Sequence, residues 1–261
     1  MGRLFCDDFI FNNKKMSDYG FSTATFETVS VSTPKDLALK KTLTTERIGT
    51  NPINYLLNVK YEDVLKFNVT MLTLCNEPIT VETFREVVRW LTTKKYEKLE
   101  IKNQKYNGYN YYFNCVVSDI QVYESNDVPM GVEFEMTCDA PYAWRDITVV
   151  CDKSPHTLII ETDDLLNNVK PVFTFTMGNA GDVVIYSEET DTEMQFADML
   201  AKETCTVDIE HCILSSNIKN RNLYNSFNRK WIELIPGNNT ITFSGVSSLA
   251  ISARIPMEVI Y

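Results

Sequence analysis

The chain has 261 residues, 44% of them hydrophobic, enough for two modest domains that each bury a core. Its 25 Lys and Arg against 35 Asp and Glu leave a formal net charge of −10, which argues against a surface that grips nucleic acid, because phosphate binding needs clustered cations. No stretch approaches the roughly 18 apolar residues that cross a bilayer, and MGRLFCDDFIF lacks a signal-peptide core, so folding in a cytoplasm without membrane insertion is expected.

In chain order, residues 3–11 predict a short strand in which Phe9 and Phe11 alternate, and NNKKMSDYG (12–20) reads as a turn. Residues 43–74 read as long paired strands, with Leu65, Phe67, Val69 and Met71 along one face. One helix follows. Pro78 and Thr80 mark its start, Thr80 as N-cap, and Val81, Phe84, Val87, Val88 and Leu91 recur at helical spacing through VETFREVVRWL (81–91). Its apolar stripe needs a sheet, which LEIKNQ (99–104), YYFNCVVSDIQVYES (111–125) and GVEFEMTCD (131–139) supply, with Val132, Phe134 and Met136 on the buried side. Pro141 in APYAWR (140–145) stops the ladder, so the expected joint separates an α+β domain over 1–143 from a second domain over 144–261.

The second domain is almost all strand. PVFTFTM (171–177), GDVVIY (181–186), CTVDIE (205–210), WIELIPGNNTITF (231–243) and LAISARIPMEVIY (249–261) alternate and are punctuated by Gly, Pro and Asn, which predicts an all-β sandwich. In the last of these, Leu249, Ile251, Ala253, Ile255, Met257, Val259 and Tyr261 share one face.

Catalytic chemistry is sparse. His156 lies in a turn before a strand and His211 at a hairpin; both read as structural or solvent-facing, and His211 beside Cys212 makes a poor nucleophile pair because neighbouring strand residues point to opposite faces. Glu133 and Glu135 share a strand face, a spacing open to a glycosidase pair and equally to a solvated polar face. Asp163, Asp164, Glu188 and Glu189 read as surface charges. Tyr106, Tyr109, Tyr111 and Tyr112 form either a contact cluster or hairpin and core packing. Cys6, Cys75, Cys115, Cys138, Cys151, Cys205 and Cys212 contain no C-x-x-C pair and read as reduced, buried small hydrophobes. No phosphate-cradling glycine motif is present, and no catalytic, cofactor-binding or metal-ligating residue is assigned.

The blocks FCDDFIFNNKKMSDYGF, LEIKNQKYNGYNYYFNCVVSDI, GVEFEMTCDAPYAW, PVFTFTMGNAGDVVIY and WIELIPGNNTITF, in this order, resemble the distal tail protein family of long-tailed bacteriophages. The resemblance implies an N-terminal α+β domain with a belt-like long hairpin within 43–74, which assembles into a hexameric ring. It also implies a C-terminal galectin-like β-sandwich that projects outward. The implied homo-hexamer sits at the virion tail tip between the tail-tube protein and a tail-associated hub or lysin protein, contacts a receptor-binding protein, and passes DNA through its lumen without sequence-specific binding. Enlarged family members carry inserted carbohydrate-binding modules; this chain has no insertion of that size. A carbohydrate-binding module with Trp231 as stacking residue is the alternative function, against which Trp231 also reads as packing at a strand start.

Overall fold

A computed structural model describes residues 2–3, 6, 8–24, 41–50, 52–61, 63–74, 77–102 and 111–257. The chain divides into two compact units, one ending at Trp144 and the other spanning Arg145–Met257.

The first unit contains β1 (Gly2–Arg3), β2 (Asp8–Phe11), β3 (Lys14–Lys15), β4 (Phe21–Thr23), β5 (Lys41–Arg47), β6 (Asn54–Tyr61), β7 (Lys66–Thr73), α1 (Val81–Leu91), β8 (Glu97–Lys102), β9 (Tyr112–Ser125) and β10 (Val128–Cys138). Its main sheet runs β7-β10-β9-β8-β2-β3, all antiparallel, with β4 antiparallel and β1 parallel against β7. The expected faces meet side by side. Val132, Phe134 and Met136 of β10 oppose Met71, Val69 and Phe67 of β7, and all six are buried. Asn126 and Asp127, both at positive φ, close the β9–β10 hairpin, a conformation that suits its twist.

Helix α1 starts as expected, with the Thr80 hydroxyl accepting from Thr83 N at 3.2 Å. Its stripe needs correction. Val87, Trp90 and Leu91 are buried, whereas Val81 is exposed, because the sheet covers the later turns of the helix and leaves the first in solvent. Trp90 is the anchor: it stacks on Phe9 and Tyr19 with centroids 5.8 and 4.9 Å away, and its Nε1 donates to Phe11 O at 2.7 Å. Residues 43–74 also differ from one paired set. Among the described residues β5 and β6 pair only with each other, while β7 joins the main sheet.

The second unit contains most of β11 (Ala143–Cys151), then β12 (His156–Ile160), β13 (Val172–Met177), β14 (Gly181–Ser187), β15 (Thr192–Met199), β16 (Thr204–Asp208), β17 (Ile213–Ser216), β18 (Gly237–Ser244) and β19 (Val246–Met257). Two sheets, β11-β19-β13-β16-β17 and β12-β18-β14-β15, enclose one core. Phe173, Phe175, Leu249 and Ile251 enter it from the first, and Val183, Ile185, Met194 and Phe196 from the second. Phe175 and Phe196 meet between the sheets with centroids 5.3 Å apart. Met257 is only half-buried, and Val259 and Tyr261 lie outside the described residues.

The block WIELIPGNNTITF is a strand only from Gly237 onward. Pro236 cannot donate to a ladder, and the buried Asn239 side chain instead satisfies Ile235, accepting from its N at 2.9 Å and donating to its O at 2.8 Å.

Candidate functional site

Among the described residues, those with chemical potential do not converge. Glu133 and Glu135 point away from the buried face of β10, flanked in register by Asn68, Thr70, Asp119 and Gln121. Ser118 Oγ donates to Glu135 Oε1 at 2.6 Å. The two carboxylates belong to a hydrogen-bonded polar sheet face. His156 opens β12 and is half-buried. His211 lies in the turn between β16 and β17, with Nδ1 2.8 Å from Asp208 Oδ2. Burial alone would raise the Asp208 carboxyl, but hydrogen bonds from His211 outweigh it and hold the group below its ordinary range.

Two expectations about individual residues are corrected. Cys212 is exposed, and it sits with His211 in a turn at φ 54° instead of on a strand. Asp164 is not a surface charge. It is buried, accepting from Leu166 N at 3.0 Å and Asn167 Nδ2 at 2.9 Å, because the chain turns there and its amides need an acceptor. Cys6, Cys115, Cys138, Cys151 and Cys205 are buried, and the last four are free thiols. Burial, with Asp152 nearby, pushes the Cys151 thiol up to about 11. Burial, with Glu203 beside it, pushes Cys205 up to about 12. Such thiols stay protonated at neutral pH and are weak nucleophiles.

Trp231 is half-buried and packs edge-on against Phe227 at 4.8 Å on the rim of the core, so its ring is not a free stacking platform. Tyr111 packs edge-on to Phe113 and Tyr112 is buried beneath Lys98, which favours packing for these two. Tyr106, Tyr109 and Cys75 lie outside the described residues. No group of three or more His, Cys, Asp or Glu among the described residues is arranged to hold a metal, and no described helix is long and apolar enough to cross a membrane.

The feature that stands out is a surface, the β5–β6 hairpin. Leu43 pairs with Val59, Thr45 with Leu56 and Lys41 with Tyr61, and alternation along β5 puts these pairs on one face. The other face carries Thr42, Thr44, Glu46, Asn58 and Lys60, with the exposed Tyr55 opposite Glu46. A register shift between Thr44 and Thr45 inserts Leu57 as an extra residue, which bends the strand and adds apolar area. Leu43 and Leu57 are each 59% exposed, and Ile48 and Ile53 stand exposed near the turn. At its base Tyr61 packs edge-on to Tyr142 at 5.9 Å. Sequence reasoning expected paired strands here but missed the uncovered apolar face. The signal was the NYLLNVKY run, in which two adjacent leucines break the alternation of a half-buried strand.

Comparison with solved structures gives full-length likenesses. The SPP1 Dit (gp 19.1) protein, described as a paradigm of the hub adsorption apparatus in Gram-positive infecting phages, superposes with a TM-score of 0.67 at 9% identity, over 95% of this chain and 98% of that one. A chain of the phage P2 baseplate in its activated conformation with Ca has a TM-score of 0.56 at 8% identity, over 97% of this chain and 99% of that one. At such identities the likeness is one of fold, and it spans both units. No curated protein sequence matches the chain. Residues 5–140 match the family of phage tail protein N-terminal domains and residues 142–253 the family of phage tail C-terminal domains, so the chain belongs to the phage tail proteins.

Proposed function

We propose that this chain is a distal tail protein, a non-enzymatic adaptor that assembles into a hexameric ring joining the tail tube to the tail-tip hub. The observation that carries the reading is the β5–β6 hairpin. An isolated two-stranded ribbon is marginal in water, and one with Leu43, Leu56 and Leu57 exposed needs a protein surface to cover it. A neighbouring copy supplies that surface in a ring, where one face of each subunit binds a different face of the next. On this reading residues 1–143 form the ring domain and the hairpin is its belt, while residues 144–261 form a galectin-like sandwich directed outward.

The partners follow from the same reading: the tail-tube protein above, a hub or lysin protein below, a receptor-binding protein at the periphery, and DNA passing through the lumen. Assembly takes place in the host cytoplasm. The formal charge of −10 supports a channel that repels phosphate and does not retain DNA.

Multi-angle light scattering with negative-stain imaging tests the proposal. A ring-shaped species near six times the 30.0 kDa chain is the expected result. A protein that stays monomeric both alone and when co-expressed with its hub protein would sink it.

A further inference from the structure

The β9–β10 ladder sets two thiols against each other, with Cys115 the register partner of Cys138. Backbone hydrogen bonds define the kind of pair. Asp139 N donates to Asn114 O at 2.9 Å, toward β9, whereas Cys138 N donates to Leu65 O at 2.9 Å, on the opposite side. Residues of an antiparallel ladder alternate in this respect, so Cys138 and Cys115 form a non-hydrogen-bonded pair, whose Cα atoms lie about 4.5 Å apart with side chains at closest approach. That spacing lies within the roughly 4.4–6.8 Å that a disulfide bridges. Both residues are fully buried and both thiols are free, with Met136 Sδ 3.7 Å from Cys115 Sγ.

We propose that Cys115 and Cys138 form an oxidation site that closes as a cross-strand disulfide when the protein meets a small-molecule disulfide such as oxidised glutathione. One protein thiolate attacks an oxidant sulfur, giving a mixed disulfide and releasing one glutathione thiolate. The second protein thiolate attacks the protein sulfur of that mixed disulfide and expels the other. Two protein thiols are oxidised, one disulfide is reduced, and the two protons lost from the protein end on the glutathione thiols. Burial first, and the neighbouring Cys138 second, hold the Cys115 thiol well above its ordinary range. Reaction therefore waits on local opening of the ladder, which makes the site a slow lock. Once formed, the bond persists outside a reducing cytoplasm.

The test uses the full chain with Cys212→Ser, which removes the one exposed thiol among the described residues. After incubation with oxidised glutathione the protein is denatured, alkylated and mapped without reduction. The expected result is a loss of two hydrogen atoms, a linked peptide pair carrying Cys115 and Cys138, and a Tm raised by roughly 5–10 °C that dithiothreitol reverses. The proposal is overturned if both thiols alkylate as free cysteines, if the link joins other cysteines, or if the same mass loss persists after Cys138→Ala.

Discussion

Gly131 shows how one position is constrained by a strand distant in sequence. It sits in β10 opposite Leu72, and a Cβ there would meet Met71 O at 2.1 Å and Leu72 Cδ2 at 2.6 Å. Backbone does not move aside as a side chain does, so Gly131→Ala should cost about 3 kcal/mol, measured as a lower urea midpoint for the unit ending at Trp144. Glu203 is the second such residue. It is fully buried, accepts from Leu200 N at 3.0 Å and Ser216 Oγ at 2.7 Å, and lies 3.4 Å from Arg221 Nε. Burial raises its carboxyl, but these partners outweigh that and hold it below its ordinary 4.5. Unfolding then binds a proton between the folded value and 4.5, so this stabilisation is full above that range and is lost as pH falls through it. Glu203→Gln should therefore make the urea midpoint less pH-dependent as pH falls through 4.5 and below. Neither role was legible in the sequence, because a carboxylate in a turn and a glycine in a strand look alike whether or not another segment closes over them.

At the scale of elements, helix α1 was legible in extent and cap, since both depend on residues within one or two turns. Thr80→Ala should cost about 1 kcal/mol, checked by chemical denaturation, because the Thr83 amide loses its acceptor. The apolar stripe was less legible. Spacing alone treats Val81 and Leu91 alike, whereas the sheet covers only the later turns, and Trp90 enters the core because Phe9 and Tyr19 offer it faces to stack on. The hairpin gives the opposite case, a ribbon with apolar residues that its own unit leaves exposed. Replacing Leu43 and Leu56 with Asp should abolish assembly in light scattering. The unfolding free energy of the monomer should change by no more than about 0.5 kcal/mol per substitution, since neither side chain is buried in the chain itself.

For the whole molecule, the two-sheet core of Arg145–Met257 draws on residues of that unit alone. That segment expressed by itself should fold, with a cooperative thermal transition and dispersed amide resonances; a non-cooperative melt would show that it needs the rest of the chain. What the sequence by itself determined is local: the alternation that makes Phe173 and Phe175, or Leu249 and Ile251, inward residues, the cap at Thr80, and the ordered blocks of a phage tail protein. These survive reading in one dimension because strand period and capping involve residues a few positions apart. Only the tertiary structure decided that β7 leaves the β5–β6 ribbon to pair with β10, that Asp164 and Glu203 are buried, and that Cys115 faces Cys138. Register and burial are set by contacts between segments far apart in the chain, and no local pattern records which segment arrives or how closely it approaches.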